Sequence, residues 1–553
     1  MLELSAGRRR WLLFVNIVAV SIVVATMSAL YTSLPDIAVA IGATQAELTW
    51  IVDSYTLVLA AFVLTAGALG DRFGRRATLI VGLALFTAAS ALPLWLDSPI
   101  WLIILRAFAG LGAAFVMPST LSLLTASFPP EKRAMAVGTW AGFAGIGGIV
   151  GLVGSGLMLQ VWSWKSIFLV ISILGALTFI AAFTIGESFA ARHGRPDVAG
   201  AVFSALAVGG VVYWLIEGAQ TGFGEPFVVV ALIVTVVSFA AFIVAELRAS
   251  TPLLDIRYFR RRGFATGSIS VALQFLVIFG FFLLIVQYLQ LVQGYDALGA
   301  SMSLAPMVVP VLVLSLIAPW LASKIGLRIV SVVGIAGIAA GMFLLSGLSV
   351  DSTYFDVLWP LSIAAVGMGL STAPATSAIV SDIPADEQGV GAAVNDAMRE
   401  VGAAIGIAIG GSILAGRYAR DIVDVLPGVP EAGRDAVEGS FAGAVEFGNT
   451  VGPAAQPIVD AAAEIYASAT GDALFALGLV AAGAAVLLLF IAPGRGYVPV
   501  GDLEDRDAAD GDEADGDESD GGDAPVDKAA GGAADDGAGA TSGADADAVP
   551  NRL

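Results

Sequence analysis

Residues 67–76 read Gly67-Ala-Leu-Gly-Asp-Arg-Phe-Gly-Arg-Arg76. This is a short, basic, glycine-broken stretch between two long apolar segments. Gly67, Gly70 and Gly74 permit a tight turn between two helices. Asp71 sits among Arg72, Arg75 and Arg76, so the turn offers one acceptor and several donors for ionic contacts. Cationic loops resist translocation, which assigns the turn to the cytoplasmic side of a membrane.

The flanking segments are typical of the whole chain. Of 553 residues, 57% are hydrophobic and 13% charged, with a mean hydropathy of +0.86. That is too apolar for a soluble chain of this length. Apolar runs of about eighteen residues or more recur, each long enough to cross a bilayer as a helix. The absence of cysteine excludes disulfides and thiolate metal or redox chemistry. The formal charge of −20 is unevenly spread: 501–553 holds 17 acids against Arg506, Lys528 and Arg552, and 417–471 holds 8 acids against three arginines, which leaves the remainder near −1. Only four lysines occur, at 132, 165, 324 and 528. An acidic, lysine-poor soluble portion resembles proteins of salt-loving archaea, and a GC-rich genome gives the same bias.

Arg8, Arg9 and Arg10 precede the first apolar run, which predicts a cytoplasmic N-terminus. That run, Trp11 to Leu34, is too long for a signal-peptide core. Further spans are expected at about 48–69, 77–97, 100–124, 134–160, 166–187, 198–218, 226–246, 264–292, 300–322, 328–348, 356–380, 390–416 and 472–492, fourteen in all. The loops this count puts inside carry Arg72/Arg75/Arg76, Lys132/Arg133, Arg192/Arg195, Arg248 with Arg257/Arg260/Arg261/Arg262, and Lys324/Arg328. The outside loops carry only Lys165 and the arginines of 417–471. An even count puts both termini in the cytoplasm. The outer segment 417–471 is expected to form a cap or loop with short amphipathic helices around Val437, Phe441, Val445 and Phe447. The tail after 500 is low-complexity and expected to be disordered.

Several dispersed motifs accompany the 67–76 turn. Leu34-Pro-Asp-Ile37 is followed by Trp50 and Tyr55. Arg106-Ala-Phe-Ala-Gly-Leu-Gly-Ala-Ala-Phe-Val-Met-Pro118 opens the fourth span. Trp164-Lys-Ser-Ile-Phe168 opens the sixth, and Pro252-Leu-Leu-Asp-Ile-Arg-Tyr-Phe259 leads into the ninth, which ends Tyr288-Leu-Gln290 with Gly294. Asn395, Arg399, Gly402 and Gly406 lie on the thirteenth. Together these resemble the major facilitator superfamily, and within it the 14-helix drug:proton antiporters of QacA-like and EmrB-like type. The resemblance implies an all-α, polytopic membrane fold: an N-terminal six-helix bundle (1–187), two additional central helices with a basic linker (188–263), a C-terminal six-helix bundle (264–500) and an acidic tail (501–553). It also implies a monomer in the cell membrane whose partners are a small-molecule substrate, lipid and protons or other cations.

The resemblance makes the 67–76 turn a gating loop and Arg106 a member of the proton-coupling apparatus. A cation at mid-bilayer costs about 3 kcal/mol or more unless solvated or paired; bonding to backbone carbonyls at a helix break is the structural alternative. Gly147, Gly151, Gly154 and Gly156 resemble the antiporter motif of the fifth helix, and the four-residue spacing of Gly138/Gly142 and Gly147/Gly151 lets another helix approach. The chain departs from the pattern twice. Leu152 stands where the family has proline, and Thr26 where it has an aspartate on the first helix. Asp53 is the compensating acid, a candidate proton or cation site, or else a wet residue near a helix end. Asp396, Arg399 and Glu400 share one helix face, spaced either to neutralise one another or to serve as second-choice coupling groups. Glu217 reads as solvated near the outer surface, and His193 as a loop residue. Tyr31, Gln274, Phe275, Gln287, Tyr288 and Gln290 are candidate cavity residues, or ordinary packing.

No phosphate-binding G-x-x-x-x-G-K-[ST] appears, and no nucleophile–base pair or metal cluster, so neither an ATP-driven pump nor an enzyme is expected, and no cofactor. No nucleic-acid partner is expected either. The expectation is an exporter of amphipathic organic compounds, working by alternating access and exchanging them for protons. The alternatives are a facilitator or importer of a metabolite and, from another class, a non-transporting sensor or scaffold.

Overall fold

In hydrocarbon every backbone N–H and C=O must find a partner within its own segment. A computed structural model of the chain describes residues 5–43, 45–188, 197–384 and 387–497, and these meet that demand with helices and no strand. The His193 loop with Arg192 and Arg195, and the acidic tail 501–553, lie outside the described residues.

Fourteen helical spans are long and apolar enough to cross a membrane. They are α1 (Ala6–Ala29), α2 (Glu47–Phe73), α3 (Arg75–Leu94), α4 (Pro99–Ser127), α5 (Lys132–Leu159), α6 (Lys165–Ala182), α7 (Val198–Gly218), α8 (Pro226–Arg248), α9 (Arg262–Val292), α10 (Leu298–Ile325), α11 (Leu327–Leu345), α12 (Tyr354–Ser381), α13 (Gln388–Asp424) and α14 (Pro453–Ile491). The chain is therefore a multi-pass membrane protein, with the number of spans its hydropathy predicts.

The last connection differs from expectation. α13 runs on to Asp424 and α14 begins at Pro453, so the segment between them is far shorter than 417–471. Polar residues such as Asp460 and Glu464 look like loop but continue a helix past its apolar part. Two short amphipathic helices, Glu431–Gly439 and Phe441–Val451, do form there. They are fastened by Tyr418, whose hydroxyl donates to the Val437 carbonyl (2.9 Å), and by the Phe441 ring, 5.1 Å from that of Tyr466.

Within the first six spans, α2 packs on α4, α3 on α4 and α6, and α1 on α5; among the last six, α9 packs on α12, α13 and α14, and α11 on α12 and α14. The two sets meet along two seams, α2 against α13 and α5 against α10. Equivalent turns in each set hold a glycine in the left-handed region, Gly74 (φ 109°) between α2 and α3 and Gly326 (φ 95°) between α10 and α11, where a side chain would be strained. The extra hairpin α7–α8 is asymmetrically placed. Only 22% of the spanning window of α8 is buried, whereas α7 lies over the α2–α13 seam. There Val212 and Leu215 join Ala60 of α2 and Ala404 and Ala408 of α13 in one apolar cluster.

Candidate functional site

Two polar assemblies lie between the halves. The first is central. Arg106 on α4 is 2% exposed; its Nε donates to the Ile51 carbonyl (3.1 Å) and its guanidinium lies 4.2 Å from the centre of the Tyr55 ring. Both terminal nitrogens lack a hydrogen-bond acceptor within the protein. One carbonyl bond and one ring therefore account for only part of this buried cation, and the backbone-bonding alternative leaves the rest unexplained. Tyr55 is fixed in turn by its hydroxyl, which donates to the Val23 carbonyl (3.0 Å).

Facing Arg106 from the other half is α13. Asp396, Arg399 and Glu400 are all buried. Arg399 Nη1 stands 3.7 Å from Asp396 Oδ1, and the guanidinium lies over Phe275 (4.6 Å) and Trp140 (5.7 Å). Asn395 donates to Asp396 (3.2 Å) and accepts from Thr376 (3.0 Å). Asp396 Oδ2 and Glu400 Oε2 accept no hydrogen bond. Partial neutralisation along the helix is thus real but leaves acid capacity over. The field of Glu400 reaches across the seam to Tyr31 and Tyr55, where Arg106 also acts. Asp53, half-buried on α2, acts on Tyr31 as well.

Thr26, at the departure on α1, is 2% exposed and donates to the Ile22 carbonyl one turn back (2.7 Å). It is satisfied by its own helix. The other departure, Leu152, sits in a continuous helix. The glycines around it have separate duties. A Cβ on Gly147 would stand 3.1 Å from Val24, one on Gly151 would meet the Ala25 carbonyl, and one on Gly156 would stand 3.2 Å from Leu298, while Gly154 has nothing within 4 Å. Gly154 therefore plays no part in close packing. Ser28 completes the α1–α5 contact by donating to the Gly148 carbonyl (2.6 Å).

Glu217 corrects the sequence reading. Its Oε2 is buried without a hydrogen-bond donor rather than wet, and its charge acts on Asp53. An isolated acid late in an apolar run was the available signal; the partner helix that gives it meaning was not.

The cavity candidates divide. Tyr31 is half-exposed beside the central cluster. Gln274 is 1% exposed and accepts from the Thr372 hydroxyl, and Phe275 stacks under Arg399. Gln287 accepts from the Tyr466 hydroxyl (2.7 Å). Tyr288 is fully buried; its hydroxyl donates to the Ser349 carbonyl (2.6 Å) and accepts from Gln293 (2.9 Å). Those bonds make Tyr288 a packing residue at the end of α9, and Gln290 lies in the same π turn, Tyr288–Val292. Replacing Tyr288 with Phe is expected to cost about 1 kcal/mol, seen as a lower melting temperature in detergent, with substrate affinity unchanged.

The second assembly is at the end of the bundle that carries the arginine-rich turns. Asp71 is 0% exposed. It accepts from Arg75 Nε (2.9 Å), with Nη2 at 2.8 Å, and from the backbone N–H of Gly389 (3.0 Å) and Val390 (3.1 Å). Those amides begin α13, so a carboxylate of one half caps a helix of the other, where unsatisfied N–H groups and the helix dipole favour an anion. A Cβ on Gly67 would stand 2.6 Å from that of Ala393, and one on Gly389 2.6 Å from Asp71; only glycine allows the approach. Glu187 caps α3, accepting from the N–H groups of Arg76 (2.8 Å) and Ala77 (3.1 Å), while Arg76 donates to the Ile185 carbonyl (2.9 Å). Arg72 lies against the Phe73 ring (5.6 Å), and a Cβ on Gly70 would stand 3.7 Å from Ser119 and Thr78, an ordinary contact. Nearby, buried Asp382 caps α9 through Phe264 N–H (2.9 Å) and accepts from Tyr497 (2.6 Å). Burial, and then that carboxylate, push the Tyr497 hydroxyl up to about 12.

A family model described as Major Facilitator Superfamily matches residues 17–407. The chain is 33% identical to Multidrug resistance protein Stp of Mycobacterium tuberculosis, over 69% of this chain and 72% of that one. It is 31% identical to Methyl viologen resistance protein SmvA of Salmonella typhimurium, over 87% and 97%. Among solved structures it is similar to the MFS proton:xylose symporter XylE bound to 6-bromo-6-deoxy-D-glucose, at a TM-score of 0.57 and 14% identity, covering 91% of this chain and 100% of that one; this likeness concerns the fold.

Proposed function

Because the chain belongs to the major facilitator superfamily of membrane transporters, we propose that it exports amphipathic organic compounds across the cell membrane by alternating access, in exchange for protons. Residues 1–187 and 264–500 are the two rocking bundles, the arginine-rich turns and both termini are cytoplasmic, and the unit of transport is a monomer. The names of the relatives support efflux of drug-like compounds.

One observation carries the coupling. Asp396 and Glu400 act on Arg399, and Glu400, Asp53 and Arg106 all act on Tyr31, so among the described residues three acids share this region with two cations, and Asp396 Oδ2 and Glu400 Oε2 are left without hydrogen-bond partners. A buried set with more acids than bases is neutral only when it holds a proton or another cation. Asp53 is on one half and Asp396 and Glu400 on the other, so the occupancy of the set and the separation of the halves are linked. Apolar and aromatic walls around them suit bulky substrates.

The test uses proteoliposomes with an acid lumen. Substrate added outside is expected to release lumenal protons, and Asp53→Asn to cut that release at least about tenfold. Thr26, satisfied by its own helix, and the uninterrupted α5 favour a second reading, a facilitator without proton coupling. Substrate flux without proton movement in the wild type would select it.

A further inference from the structure

Glu217 belongs to neither six-helix bundle. Its position follows from how α7 lies on α2. Gly209 approaches so closely that a Cβ there would stand 2.8 Å from that of Ala61. Farther along α7, the Tyr213 ring is 5.9 Å from that of Trp50, which is earlier along α2, so the helices run in opposite directions. Eight residues onward from Gly209 is Glu217, and eight residues back from Ala61 is Asp53. At about 1.5 Å per residue, equal steps bring both acids to the same height, roughly 12 Å from the shared contact. The Glu217 charge acts on Asp53.

The surroundings have one sign and one texture. Glu400, 5% exposed with Oε2 unpartnered, extends the acidic field from α13, and Tyr31 feels both it and Asp53. Arg106, the cation facing this group from α4, is turned onto the Tyr55 ring. The Trp50 and Tyr213 rings form a wall beside the pair.

We infer that Asp53 and Glu217, one on a bundle helix and one on the additional helix α7, form the seat for the positive charge of an organic cation whose flat apolar body lies on Trp50 and Tyr213. Carboxylates and aromatic faces attract the same kind of ligand, a delocalised cation. The inference deepens the export reading and rests on it for the identity of the transported class. It makes α7 part of the transport site, so a 12-helix version lacking it would keep the cycle but lose affinity for cations.

Ethidium binding to the purified full-length protein, followed by fluorescence polarisation, tests the seat directly. Glu217→Gln is expected to weaken binding about tenfold and Glu217→Ala at least as much. Glu217→Asp should stay within about threefold of wild type, because charge rather than shape is recognised. Unchanged ethidium affinity in both Gln and Ala variants overturns the seat, as does wild type that binds no ethidium. Flux in liposomes is scored separately. Export that persists with an unaltered Glu217→Gln affinity leaves the transporter reading intact and removes this one. Tight, Glu217-dependent binding without any export does the reverse.

Discussion

With Asp71 replaced by Asn, transport in proteoliposomes is expected to fall at least about a hundredfold while the protein still purifies as a monodisperse species. Asp71 holds four hydrogen-bond or ionic contacts with no solvent to replace them: two to Arg75 and two to the first amides of α13. Asn removes the countercharge that Arg75 meets at 2.8 Å and turns an NH2 group toward donors. Breaking a buried pair costs about 3–5 kcal/mol, and about 2.7 kcal/mol already corresponds to a hundredfold shift of an equilibrium. The cost falls on the conformation in which α2 and α13 are latched at this end, so the other conformation gains population. Distances between spin labels at the ends of α3 and α13 report this: the variant should show the longer population dominating. Wild-type distances and wild-type transport together would mean that the Asp71 contact is incidental to the cycle.

Gly406→Val is expected to prevent folding rather than to impair turnover. Gly402, Gly406 and Gly410 repeat every four residues on the face of α13 that meets α9. A Cβ on Gly402 would meet the Ala272 carbonyl and one on Gly406 the Leu276 carbonyl, while one on Gly280 of α9 would in turn stand 2.7 Å from the Gly406 carbonyl. Backbone cannot swing aside as a side chain can, so the helices must part. Overpacking of well-ordered interiors costs about 1–3 kcal/mol and occasionally more, and a clash of backbone with backbone belongs at the upper end. The expected readout is loss of the monodisperse peak in size-exclusion chromatography. Gly154→Val, with nothing within 4 Å, is the matched control and should stay within about 0.5 kcal/mol of wild type. A monodisperse, heat-stable Gly406→Val protein would contradict the packing account.

The contrast between those two glycines marks what could be read in advance. Fourteen spans were legible because bilayer thickness fixes the length of an apolar run. The start of α14 was not, because hydropathy senses the lipid-embedded part of a helix and is blind to its continuation past the membrane surface. Spacing identified Gly151 as a close-approach position, and the motif carried Gly154 along with it, since a sequence pattern gives a face and not the neighbour opposite it. Arg106, Asp396 and Glu400 could be named because intramembrane charge is rare enough to draw attention by itself. Tyr288 was left open between cavity and packing, and Glu217 was read as wet, for one shared reason: an aromatic or an acid near a helix end is wet, packed or functional according to a partner on another helix. Ser349 decides the first and Asp53 the second, both distant in sequence.

The placement of α7 over the α2–α13 seam also makes the two sides of the molecule unequal. At the opposite seam α5 meets α10 directly, with a Cβ on Gly142 falling 3.2 Å from Ser315. A compound dissolved among the lipid tails therefore faces a double wall on one flank and a single wall on the other.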